Sequence, residues 1–140
     1  YKIYNGLYEK QDHPIPAPGL KEALDWLAAA GVILAIVTTQ QDAITIPLLK
    51  KYGLADKFAK ISGSVSDKAV ALRNIMSAFN LSSKQVAYVG DQEGDIKYAK
   101  KANCISIAYC NGIHGKERLK KLQPDFIIES MLEIKNLPIF

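Results

Sequence analysis

Residues 32–37 read Val-Ile-Leu-Ala-Ile-Val, six aliphatic positions with no polar one among them. A strand with one face in water alternates apolar and polar residues. A run without alternation needs cover on both faces, as in a parallel sheet between helices. The flanking sequence supplies that cover. Within Gly19–Ala30, Leu20, Ala23, Leu24 and Leu27 recur at i, i+3, i+4 and i+7, the spacing of an amphipathic helix, and Gly31 ends it.

The same alternation continues down the chain. Helices are expected over Asp42–Tyr52, Lys68–Phe79, Asp95–Ala102 and Lys116–Leu122, with a short last one beginning over Met131–Lys135. Strands are expected near Ala59–Ile61 and over Gln85–Val89, Cys104–Ala108 and Asp125–Ile128. Strands alternating with helices of this length predict an α/β fold, a Rossmann-like three-layer arrangement with a parallel sheet and right-handed crossovers. At 140 residues the chain is long enough for one domain with a sizeable core.

Composition narrows the partners. The net charge of +4 comes from lysines scattered along expected helices, such as Lys50-Lys51, Lys100-Lys101 and Lys120-Lys121, where they solvate an exposed face. No arginine-rich stripe with interleaved aromatics points to nucleic acid. No apolar run approaches the roughly 18–20 residues that span a bilayer. Cys104 and Cys110 lack metal-ligand spacing, and the expectation is a reducing cytoplasm with Cys104 in the core. His13 and His114 fall in loops, and a surface histidine is favoured for His114 over a role near the mouth of the site.

The first residues follow another pattern. Tyr1, Tyr4, Leu7 and Tyr8 fall roughly on one helical face, and Gln11–Pro18 holds three prolines. This divides the chain into a helix-and-linker segment, 1–17, and a core domain, 18–140.

Three polar features lie where strands should end, and ligands of parallel sheets bind outside the carboxyl ends of the strands. Thr38 follows the aliphatic run, with Thr39 beside it. A hydroxyl there can hold a phosphate oxygen, or can simply cap a helix. Lys68 opens a helix after the loop Gly63–Asp67. A cation in a first helical turn opposes the helix dipole, which makes sense if its ammonium faces an anionic site. The third feature is Val89-Gly90-Asp91-Gln92-Glu93-Gly94-Asp95. It sets two carboxylates, Asp91 and Asp95, at a strand tip, with Gly90 and Gly94 opening the turn. Such a pair suits a hard cation such as Mg²⁺, with Asp95 a direct ligand or a group that orients water. The plainer alternative makes Asp95 a helix cap and Asp91 a turn residue.

Together these motifs resemble the haloacid dehalogenase-like (HAD) hydrolases, especially their phosphoglycolate phosphatase-like branch. PGLKEALDWLAAAGVILAIVTT resembles that family's helix and second motif, DKAVALRNIMSAFNLSSKQVAYVGDQEGDI its third and fourth motifs, and PDFIIESMLEI its final strand and helix. The 23-residue separation of Lys68 and Asp91 is typical of the family. The resemblance implies an aspartyl-phosphate mechanism on a small phosphorylated metabolite. Thr38, Thr39 and Lys68 would hold the phosphoryl group, Thr38 and Lys68 would act in catalysis, and Asp91 and Asp95 would bind Mg²⁺.

The family's first motif, Asp-x-Asp-x-Thr on the first strand, is not found in this chain, so that strand is expected to be absent or atypical. In one reading Tyr1–Gln11 is the last helix of an inserted cap domain, which the helical spacing of Tyr1, Tyr4 and Tyr8 favours. In the other, Tyr1–Tyr8 is a decayed first strand with Ile3 at the nucleophile position and Asn5-Gly6 after it. Either way the chain is not expected to turn over phosphate alone. A missing central strand would expose unpaired backbone, so a companion segment, residues 1–8 rearranged, or self-association should complete the sheet. The rival function is a non-catalytic HAD-like binding or regulatory domain. A receiver-like signalling domain fits less well, because Lys68 precedes the acidic pair. A dinucleotide-binding domain lacks its Gly-rich loop.

Overall fold

The computed structural model describes residues 2–4 and 15–140. Its strands are β1 (Lys2–Tyr4), β2 (Leu34–Val37), β3 (Lys60–Ser62), β4 (Ala87–Gly90), β5 (Ile105–Tyr109) and β6 (Phe126–Ile128). Its helices are α1 (Leu20–Ala29), α2 (Asp42–Lys51), α3 (Lys68–Ala78), α4 (Glu93–Lys101) and α5 (Lys116–Lys120), followed by a 3₁₀ segment, Met131–Asn136. The six strands form one sheet in the order β3-β2-β1-β4-β5-β6, and every neighbouring pair is parallel.

The aliphatic run is explained by the two faces of that sheet. Leu34 and Ile36 pack with Leu20, Leu24 and Leu27 of α1 and with Met131 and Ile134 of the 3₁₀ segment. Ala35 and Val37 point the other way, into a cluster with Leu72, Ile75 and Met76 of α3 and Ala99 of α4. Strand β4 divides in the same manner, with Ala87 and Val89 on the α1 face and Tyr88 on the α3 face. Each fully buried Leu or Ile contributes about 1.5–3 kcal/mol, so both layers are needed to hold the sheet. Ile96, Ala108, Cys110 and Leu119 form a smaller cluster under α5.

Most expected elements appear within two residues of their predicted ends. One shift is local: Ser83–Gln85 forms a 3₁₀ turn, and β4 begins at Ala87. The Gln85 side chain turns back to accept from the Ser82 N–H at 2.9 Å, which favours a turn over a strand start.

The opening segment requires a correction. The helix expected over Tyr1–Gln11 does not hold at Lys2–Tyr4, which form a strand between β2 and β4. Lys2, Ile3 and Tyr4 pair with Leu34, Ala35 and Ile36 on one side and with Ala87, Tyr88 and Val89 on the other. The physical reason is backbone satisfaction: without a strand there, two buried strands would each carry a row of unpaired N–H and C=O groups. Of the three ways of completing the sheet, the structure uses the chain's own first residues. Tyr1, Asn5-Gly6, Leu7, Tyr8, Gln11 and His13 lie outside the described residues.

Candidate active site at the strand ends

The register sets the geometry. Ile36, Tyr4 and Val89 are level across β2, β1 and β4. Two residues beyond Ile36 and Val89, Thr38 and Asp91 therefore stand at the same height, two strand spacings or about 10 Å apart. Lys68, the first residue of α3, and Asp95, in the first turn of α4, come to the same end of the sheet.

Asp91 is almost wholly buried. Its Oδ2 accepts from the Ile113 N–H at 3.1 Å, and its carbonyl accepts from the His114 N–H at 3.0 Å. Its Oδ1 is buried without a hydrogen-bond partner. Burial pushes the Asp91 carboxyl above the ordinary carboxylate range, opposed by the Ile113 N–H bond and reinforced by the nearby Asp95 charge. A Cβ at Gly112 would collide with the Asp91 side chain, so the loop after β5 is moulded closely onto it.

Asp95 is the hub of the turn. Its Oδ1 accepts from Lys68 Nζ at 2.6 Å and from the Tyr88 hydroxyl at 3.3 Å. Its Oδ2 accepts from the Gln92 N–H at 3.1 Å, one half of a capping box at the start of α4. Both oxygens are thus engaged. Asp95 serves the start of α4 from the third helical position, with Gln92 as the cap residue, and pairs with Lys68 through its other oxygen.

Lys68 is buried, and its ammonium meets an anion, as its placement in the first helical turn suggested. Asp67 caps α3 by accepting from the Ala69 N–H at 2.9 Å and the Val70 N–H at 3.3 Å. That places residue 68 at the helix start and turns its side chain inward. Thr38 behaves more locally. Its Oγ1 accepts from the Gln40 N–H at 3.1 Å, its N–H donates to the Ser62 carbonyl, and Thr39 is exposed. Among the described contacts none links Thr38 or Thr39 to Lys68, Asp91 or Asp95.

The two glycines of the turn differ. A Cβ at Gly90 would collide with the Asp95 side chain. Gly94 lies inside α4, and a Cβ there would meet nothing closer than Tyr98 Cε2 at 3.9 Å. The expectation that both open the turn holds for Gly90 alone.

His114, for which the sequence favours a surface position over one near the mouth of the site, contacts the acidic turn. It is half-buried, and its Nδ1 accepts from the Glu93 N–H at 2.9 Å. Glu93 in turn accepts from Arg118 Nε at 2.6 Å, and that guanidinium holds the Glu93 carboxyl below its ordinary range. The pairing of 93 with 114 spans two elements, so no local pattern signals it. Nearby, a cavity of about 300 Å³ opens beside Tyr109, Asn111, Glu129 and Ser130.

No cluster of three or more His, Cys, Asp or Glu side chains able to hold a metal occurs among the described residues. A Mg²⁺ site does not require one, since Mg²⁺ usually keeps several waters and takes one or two carboxylates. The orphaned, buried Asp91 Oδ1 is the feature that fits a hard cation.

This sheet order, with its acidic turn after β4 and buried lysine from α3, defines a parallel α/β core that gathers charged side chains at its strand ends. A family model of haloacid dehalogenase-like hydrolases matches residues 1–109, and the chain belongs to that family. Among curated relatives, it is 33% identical over 129 residues to the phosphoglycolate phosphatase of Nitrosococcus oceani, covering 86% of this chain and 56% of that protein. It is 30% identical over 142 residues to that of Vibrio cholerae, covering 94% and 63%. The structure superposes on a predicted phosphoglycolate phosphatase from Haemophilus somnus with TM-score 0.83 and 27% identity, covering 89% of this chain and 58% of that one. The chain thus spans less than two thirds of the length of these relatives.

Proposed function

We propose that this chain is the core of a Mg²⁺-dependent phosphomonoester hydrolase acting on a small phosphorylated metabolite through an aspartyl-phosphate. The observation that carries the reading is the buried, partnerless Asp91 Oδ1 beside Asp95 and Lys68. Leaving a carboxylate oxygen buried and unpaired is unfavourable, and a bound cation relieves it. Asp91 would hold Mg²⁺ directly, and Asp95 would hold it or orient water beside it. When bound, Mg²⁺ supplies Lewis-acid stabilisation of phosphoryl oxygens.

Charge balance supports a phosphate. Two carboxylates and one ammonium leave the site with one net negative charge, and a divalent cation turns that into one net positive charge. Lys68, held by Asp95, would present its ammonium to the phosphoryl group. Thr38, level with Asp91 across β1, would donate its hydroxyl from the opposite side, with Thr39 next to it. The exposed side chains of Ile44, Val70 and Ile113 stand around this end of the sheet, and they suit a cover that excludes water from the site. Two free, buried cysteines favour a reducing compartment such as the cytoplasm. Neither nucleic acid nor a membrane is proposed as a partner, and the sheet is completed by β1 of the same chain rather than by self-association or a companion segment.

A second reading is favoured by β1 itself. The strand at the centre of the site reads Lys2-Ile3-Tyr4 and carries no carboxylate. A domain with the fold and the cation-holding turn but without a nucleophile would bind a phosphorylated ligand and not turn it over.

Isothermal titration with Mg²⁺, and with Mg²⁺ plus inorganic phosphate, tests the claim that both readings share, with p-nitrophenyl phosphate as the probe for turnover. Binding that is lost in Asp91→Asn, without turnover by this chain, is the expected result. An Asp91→Asn variant that binds Mg²⁺ as the wild type does overturns the site.

A further inference from the structure

The loop between β5 and α5 grips the Asp91 turn at four points. The Ile113 N–H donates to Asp91 Oδ2, and the His114 N–H donates to the Asp91 carbonyl. The His114 Nδ1 accepts the Glu93 N–H at 2.9 Å. Gly112 lies so close to the Asp91 side chain that no Cβ fits between them. These contacts fix the carbonyl, the carboxylate and the next turn of backbone, and they leave one oxygen, Asp91 Oδ1, without a partner.

The imidazole closes this grip. The Glu93 N–H is at the first residue of α4, where no carbonyl of the preceding turn is available to it. An Nδ1 that accepts must be unprotonated, which leaves the ring proton on Nε2. The Gln92 N–H goes to Asp95 Oδ2 and the Glu93 N–H goes to His114, so both orphan donors at the start of α4 are satisfied by side chains. Without the His114 acceptor, the carbonyl bond is the one backbone tie left between the turn and the loop, and the Asp91 carboxylate is held by the Ile113 N–H and the Gly112 contact on a less firmly fixed backbone.

We propose that His114 is a positioning residue that aims Asp91 Oδ1 into the cation site by accepting the Glu93 N–H. It touches neither phosphate nor cation. The inference rests on the reading of Asp91 as a Mg²⁺ ligand.

Two substitutions separate aiming from mere packing. His114→Leu keeps bulk and removes the acceptor, whereas His114→Asn shortens the side chain and restores an acceptor oxygen. Mg²⁺ affinity measured by titration calorimetry is expected to fall about 10–100-fold in His114→Leu, the usual effect of losing a partner behind a metal ligand. In His114→Asn most of that loss should be recovered. Hydrogen exchange at the Glu93 amide should accelerate in His114→Leu and not in His114→Asn, with both variants melting cooperatively without metal. Wild-type Mg²⁺ affinity in His114→Leu, equal loss in both variants, or unchanged exchange at Glu93 would each overturn the proposal. If the wild type itself binds no Mg²⁺, the metal reading falls. The grip is then judged on the Glu93 and Ile113 amides alone, and protection there that ignores His114→Leu refutes it.

Discussion

Lys68 Nζ lies 2.6 Å from Asp95 Oδ1, with the two side chains only 8% and 1% exposed. The residues are 27 apart in sequence and start two different helices, so the pair ties α3 to α4 across the end of β4. A buried ion pair is a poor source of net stability, but breaking one by removing a single partner strands a charge.

Lys68→Met is therefore expected to destabilise the fold by about 3–5 kcal/mol, because Asp95 is left buried beside Asp91. The double variant Lys68→Met/Asp95→Asn should recover a large part of that loss. Urea unfolding of the two single variants and the double one reads the coupling directly. A Lys68→Met protein within 1 kcal/mol of wild type, on the order of an exposed pair, would show that the pair is not held as described.

Asp91 gives the pH dependence. Its folded-state pKa is raised by burial, so the stability it contributes is fully present below the ordinary carboxylate value. That contribution is lost as pH rises from there through the raised value. In Mg²⁺-free buffer, thermal unfolding should show a Tm component that declines over this window. Asp91→Asn should remove it and melt higher than wild type near neutral pH. A pH profile of Tm identical in the two proteins would contradict the burial argument.

The two glycines of the turn provide a matched test. Gly90→Ala drives a methyl into the Asp95 side chain and should cost about 1–3 kcal/mol through overpacking. Gly94→Ala has room and lies in a helix without a positive φ, so it should be neutral or stabilise by about 0.5–1 kcal/mol. Chemical denaturation of both decides whether the constraint sits at position 90 alone.

Strand β1 is three residues long, yet it joins the two halves of the sheet. Ile3 pairs with Ala35 and with Tyr88, so Ile3→Pro removes a backbone donor at the centre. Loss of a single cooperative unfolding transition, with increased self-association in size-exclusion chromatography, is expected. An Ile3→Pro protein that unfolds as wild type does would mean that another segment can fill the place of β1.

Local periodicity made most of the elements legible. The i, i+3, i+4 spacing in α1 and the unbroken aliphatic run through β2 reflect which faces must leave water, and that requirement is written residue by residue. The acidic turn was legible for a similar reason, since a strand, a glycine and two carboxylates must sit close in sequence to meet at one strand tip. The opening residues misled because Tyr1, Tyr4 and Tyr8 carry helical spacing, whereas the strand at Lys2–Tyr4 is demanded by unpaired neighbours far along the chain. The contact His114 makes was not legible because its partner is a backbone N–H 21 residues away, and a backbone donor leaves no mark in sequence.

The sequence by itself determined the layered α/β fold, the positions of Thr38, Lys68, Asp91 and Asp95 at strand ends or helix starts, and the family. Hydrophobic period and short-range spacing are local properties that one strand or helix can display alone. Only the tertiary structure decided that Lys68 grips Asp95, that Asp91 keeps one buried oxygen unpaired, and that His114 holds the turn from behind. These depend on which elements the sheet order brings side by side, and that order is set by backbone pairing and two-sided burial across the whole chain.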